Sequence, residues 1–198
     1  MCVICVSDKG VKQPEKELMR LMWHKNPHGA GYMFARSNYV YIRKGFMNFN
    51  EFYAAVQSEQ FTEDDVVVYH FRIATQAGIT PEMTHPFALT DDLNKTKVLK
   101  TRVNVGICHN GIIHLTSDHN SKYSDTALYI TKYLSKMINK PGDLKSKVLQ
   151  DEIYSMIWGK MAILDYAGNL TLIGPFVMDK SGLLYSNEHF FSYKYRAS

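Results

Sequence analysis

The sequence is poor in the features that would place it in several protein classes. Its 198 residues hold three cysteines, an odd and small number that argues against a disulfide framework and fits a reducing compartment. Twelve glycines and six prolines are too few for a collagen-like, low-complexity or disordered chain. No run approaches the roughly 18 apolar residues of a membrane span, and the opening MCVICVSDKG lacks the basic start and apolar stretch of a signal peptide. N-myristoylation needs glycine at position 2, where this chain has cysteine. A cytoplasmic protein without membrane association is expected.

What is present fits a globular chain. Hydrophobic residues make up 45% and aromatics 13%, enough for one sizeable core and a single domain over 1–198. The net charge of +4 is scattered, with its densest stretch, KTKVLKTR from Lys95 to Arg102, reading as a loop. Nucleic-acid binders concentrate such charge on one face, so this pattern argues against that partner.

Val3, Ile4 and Val6 mark a first strand, and Gln13 to Lys25 a first helix, with Leu18, Leu21 and Met22 at helical spacing. NPHGAG, Asn26 to Gly31, breaks the pattern as a loop. Tyr32 to Ala35 and Tyr39 to Arg43 read as a hairpin, followed by a helix from Phe49 to Ser58 with Asn48 or Asn50 as its cap. The β-branched runs Val66 to Tyr69 and Val103 to Cys108 end at HFR and HNG. Between them lies a connection of roughly thirty residues with Pro81 and Pro86, long enough to read as a functional loop. Helices are expected over Ser124 to Asn139 and Leu144 to Trp158, then short strands over Met161 to Asp165, Leu170 to Ile173 and Leu183 to Tyr185. Hairpins interrupted by blocks of helix indicate an α+β protein with antiparallel sheets.

Several residues carry candidate chemistry. CVIC is formally a C-x-x-C, but strand positions three apart face opposite ways, so Cys2 and Cys5 do not converge on a metal and Cys5 reads as core. Cys2 follows the initiator methionine, which is usually removed before a small residue. Removal leaves a thiol and a free α-amine, of pKa about 8, on one residue, a nucleophile with its own base. A plain buried strand cysteine is the alternative. In GICHNGII, Asn110 and Gly111 read either as a type I′ turn or as an amide and a backbone N–H placed to receive an oxyanion. Arg72 ends a buried-looking strand and needs an anion, either an internal partner or a ligand carboxylate. Asp125 reads as a helix N-cap or as the partner of a ligand ammonium.

Together these residues resemble the class II glutamine amidotransferase domain, the N-terminal-nucleophile glutaminase of glucosamine-phosphate synthase, asparagine synthetase and glutamate synthase. The matching pieces run in the family's order: MC at the start, NPHGAGY, HFRIAT, THPF, CHNGII and SDT, spread from Cys2 to Thr126. The resemblance implies a four-layer αββα sandwich of two antiparallel sheets, the Ntn-hydrolase architecture. It also implies that Cys2 attacks the side-chain amide of glutamine and that Asn110 and Gly111 hold the oxyanion. Arg72 would bind the substrate α-carboxylate and Asp125 its α-ammonium, with Thr75 and Gln76 lining the pocket. No cofactor and no metal are implied.

The chain departs from the family in reading ATQAG, with Gln76 where a histidine is usual and one extra residue before Gly78. No synthase segment follows within the sequence, so released ammonia would pass to a separate acceptor enzyme. Hydrolysis of another γ-glutamyl amide, and a non-catalytic binding role on the same fold, are the competing readings.

Overall fold

The computed structural model describes residues 1–74, 78–114 and 123–191. Thr75 and Gln76 fall outside this set. The first strand, β1, is Val3–Ser7, and α1 is Lys16–Lys25. The hairpin strands are β2 (Ala30–Arg36) and β3 (Tyr39–Phe46), joined through Ser37 and Asn38 in left-handed conformation. The next helix, α2, is Phe49–Ser58, and the Asn48 side chain caps it by accepting from the Asn50 and Glu51 N–H groups. Then come β4 (Val67–Phe71), β5 (Phe87–Ala88), β6 (Lys100–Val103) and β7 (Val105–Ile112). A longer helical stretch is built from α3 (Asp125–Tyr129), a π turn over Ile130–Leu134 and α4 (Ser135–Met137). The chain continues with α5 (Lys147–Met156), β8 (Trp158–Asp165), β9 (Leu170–Ile173), β10 (Val177–Met178) and β11 (Leu184–Tyr185).

The strands form two antiparallel sheets, a seven-stranded one ordered β10-β11-β1-β4-β2-β3-β6 and a four-stranded one ordered β5-β7-β8-β9. Alternation along each strand sends successive residues to opposite faces, and the buried clusters follow that rule. Val3, Cys5, Tyr32, Phe34, Tyr69 and Phe71 pack with Met19, Met22, Phe52 and Val56 of α1 and α2. Ile107, Met161 and Ile163 pack with Ala127, Tyr129 and Leu134 of the long helical stretch and Ile153 of α5. The remaining strand faces meet one another: Ile4, Val6, Met33, Val40 and Val68 from the larger sheet against Cys108, Ala162 and Leu164 from the smaller. The architecture is α+β with two antiparallel sheets, compatible with a two-sheet sandwich.

Four local expectations need correction. Lys100–Val103, inside the basic stretch read as a loop, is a strand that pairs with β3 at the sheet edge, where alternating lysine and arginine side chains are tolerated. Ala30 and Gly31 belong to β2 and not to the preceding loop. The helix expected to reach Trp158 stops at Met156, and Trp158 opens β8, its exposed ring having no apolar face to follow. Asn110 and Gly111 are not a turn: they lie within β7, opposite Lys160 and Gly159 of β8.

The long connection between β4 and β6 is held down by a buried cation. Lys44, 4% exposed, donates through Nζ to the Glu82 and Thr96 carbonyls at 3.0 and 2.6 Å and lies 3.9 Å from the centre of the Phe87 ring. Burial pushes its ammonium down to about 7.

Candidate active site

The sheet registers place the candidate residues. In the larger sheet Val6 faces Val68 and Ile4 faces His70, so continuing the ladder by two residues brings Cys2 alongside Arg72. In the smaller sheet Gly106 faces Leu164, Cys108 faces Ala162 and Asn110 faces Lys160. With a period of two, Cys2, Arg72, Asn110 and Lys160 all belong to the faces that meet between the sheets. Leu184, opposite Val6, lies on the same side, which puts Ser186 there as well.

Cys2 is half-buried, and its sulfur sits beside the Ile73 backbone, 3.3 Å from the N–H and 3.4 Å from the carbonyl. Burial raises the thiol's pKa, while the Ile73 N–H, the Arg72 charge and the chain's N-terminal charge pull it the other way. A thiol held up in this way needs a base at the moment of attack. Met1 is 71% exposed, so its removal takes nothing from the core. Cys5 and Cys108 are fully buried, and burial pushes both well up. The Cys2 carbonyl accepts a 2.6 Å hydrogen bond from the Asn187 side chain.

Arg72 is 6% exposed, and its guanidinium donates to the Gly78 carbonyl at 3.1 Å. Burial lowers its pKa, and the charges of a Cys2 thiolate and the Asp125 carboxylate offset that effect. Its backbone is fixed by the NPHGAGY segment. The Arg72 N–H donates to the Gly29 carbonyl, the His28 N–H to the Arg72 carbonyl, and the Ala74 N–H to His28 Nδ1 at 2.9 Å. Gly31 is needed there, because a Cβ would collide with the His85 carbonyl oxygen.

Asp125 is the first residue of α3, with Ser124 in the cap position. Its carboxylate accepts from the Ile113 and Thr126 N–H groups at 2.8 and 2.7 Å, so it ties the helix start to the end of β7. Oδ1 also accepts from the Ser124 and Thr126 hydroxyls, whereas Oδ2 has the Ile113 N–H as its one donor among the described residues and keeps a lone pair for a ligand. Asn110, 6% exposed, donates through Nδ2 to the Ser186 hydroxyl at 2.8 Å. Gly111 meets Gly159 across the strands so closely that a Cβ on either would strike the other's backbone. Packing alone therefore demands glycine at 111, whatever else its N–H does.

Three histidines accompany these residues. His70 Nε2 lies 3.1 Å from the His109 carbonyl, His85 stacks on His70 with ring centres 4.2 Å apart, and His109 Nδ1 lies 3.1 Å from the Thr126 hydroxyl. Burial pushes His70 down to about 3, His109 to about 4 and His85 well below the usual range, so all three are neutral at physiological pH. Among the described residues no group of three or more His, Cys, Asp or Glu is arranged to hold a metal, and no helix is long and apolar enough to cross a membrane.

The residues that sequence reasoning missed are Ser186, Asn187 and Lys160, whose ammonium donates to the Ser186 carbonyl. Their roles depend on strands remote from one another, and the one local signal is a polar Ser-Asn pair directly behind an apolar strand. No protein-family model and no curated protein matches this chain.

Proposed function

We propose that this protein is a glutamine amidohydrolase of the class II glutamine amidotransferase type, on a four-layer αββα Ntn-hydrolase fold. The observation that supports the reading is that adjacent residues hold Cys2 and Asn110, Asn187 at the Cys2 carbonyl and Ser186 at the Asn110 amide, with the Arg72 charge acting on the Cys2 thiol. Once Met1 is removed, the α-amine of Cys2 takes the thiol proton as the sulfur attacks the side-chain amide carbon of glutamine. Asn110 and the Gly111 N–H receive the oxyanion. The amine returns the proton to the departing nitrogen, ammonia leaves, and water hydrolyses the thioester to glutamate and the free thiol. Arg72 grips the substrate α-carboxylate as a fork of donors, and Asp125 takes the α-ammonium through Oδ2. Thr75 and Gln76 stay in the proposal as pocket residues. Ammonia would pass to a separate acceptor enzyme.

The test combines intact-mass analysis with an ammonia-release assay over glutamine and a panel of γ-glutamyl amides. The expected result is loss of Met1, glutamine preferred over bulkier amides, and no release by Cys2→Ala. Preference for a bulkier amide would move the substrate class, and full activity in Cys2→Ala would remove the thioester mechanism.

A further inference from the structure

The amide of Asn110 has one settled end and one open end. Its Nδ2 side faces the Ser186 hydroxyl, while Oδ1 is buried without a hydrogen-bond partner among the described residues. The Ser186 oxygen already accepts from the Ile4 N–H at 2.9 Å. With Asn110 donating as well, that oxygen receives two donors and its own proton meets no acceptor among the described residues. The opposite orientation of the amide, with oxygen and nitrogen exchanged, satisfies the hydroxyl fully, since Ser186 accepts from Ile4 and donates to the amide oxygen, and it leaves the NH2 in the buried position with its donors open to a ligand. The two orientations differ in sign toward any developing negative charge there. One offers it a carbonyl oxygen, the other two N–H donors.

We propose that Ser186 is a positioning residue that selects the orientation of Asn110 in which its NH2 is free to donate to the oxyanion. The inference rests on the glutaminase reading above. Ser186 suits the task because its own place is over-determined: its N–H donates to the Ile4 carbonyl at 2.9 Å, its carbonyl accepts from Lys160, and it is 1% exposed. The next residue, Asn187, holds the carbonyl of Cys2. One short segment thus fixes the nucleophile's residue and the orientation of the oxyanion donor, and no proton leaves Ser186 during the reaction.

The experiment is a kinetic double-mutant cycle on the full chain, using glutamine as substrate. Ser186→Ala is expected to lower kcat by about tenfold or more with KM nearly unchanged, since an oxyanion donor acts in the transition state. Ser186→Thr, which keeps the hydroxyl, is expected to restore most of the rate. In an Asn110→Ala background, Ser186→Ala is expected to cost little further, because the group it orients is gone. Equal losses from Ser186→Ala in both backgrounds, or a wild-type kcat in Ser186→Ala, would overturn the positioning role and leave the glutaminase reading intact. Failure of the wild-type protein to release ammonia from any γ-glutamyl amide would overturn both.

Discussion

The layer between the two sheets changes character along its length. At one end Val6, Val68, Met33, Val40 and Leu164 fill it with aliphatic side chains. Two or four residues further along the same strands, the same face carries Cys2, His70, Arg72, Asn110 and Lys160. The polar end is also where the ladder loosens: β2 shifts register between Ala30 and Gly31, and the β1–β4 pairing stops at Val3 and Phe71. The apolar end gains free energy from burial, whereas the polar end buries Arg72, Asn110 and His70, with His85 against His70, at a cost that hydrogen bonds only partly offset. Spending stability in one place while the neighbouring rows conserve it is the pattern of a site.

The sharpest way to separate the ends is to treat their two cysteines alike. Cys2→Ala is expected to lower ammonia release by at least about a thousandfold with little change in melting temperature, whereas Cys108→Ala should leave the rate per folded molecule unchanged and lower the melting temperature. Comparable activity losses in the two variants, measured beside thermal melts, would erase the contrast. Next in size, Leu164→Ala at the apolar end should destabilise the fold by about 2–5 kcal/mol in urea titrations without altering KM.

Acid should act on the buried histidines. His70 and His109 titrate near 3 and 4 when folded and near 6.5 when unfolded, so below 6.5 the unfolded chain binds more protons. Stability is then expected to fall as pH drops from 6.5 toward about 4, by up to about 1.4 kcal/mol per pH unit for each histidine. Arg72, His85 and Asp125 face the same cluster, and a flat urea midpoint over this range would mean that water reaches the rings. Smallest of the four, Arg72→Lys should raise KM for glutamine about tenfold with kcat nearly kept, because an ammonium cannot hold a carboxylate with two parallel bonds. An equal fall in kcat would place Arg72 in the chemistry and not in binding.

Much of the fold was legible wherever local chemistry decided it. The Phe49–Ser58 helix and the Leu170–Ile173 strand have the expected bounds, the first because Asn48 caps it and the second because a turn bearing Gly168 precedes it. Sequence reasoning went astray where a distant partner decided. Lys100–Val103 looks like a loop until β3 lends it a ladder, and the choice between turn and strand at Asn110-Gly111 stays open until Gly159 is set against it. The placement of Cys2, Arg72 and Asn110 on one side follows from strand parity and was within reach of the sequence. The part played by Ser186 was not, because it depends on a bond spanning 182 positions of chain.

That bond carries a consequence for biosynthesis. Ile4 is held by Ser186 and the Cys2 carbonyl by Asn187, so β1 cannot settle between its neighbours until nearly all of the described chain has been made.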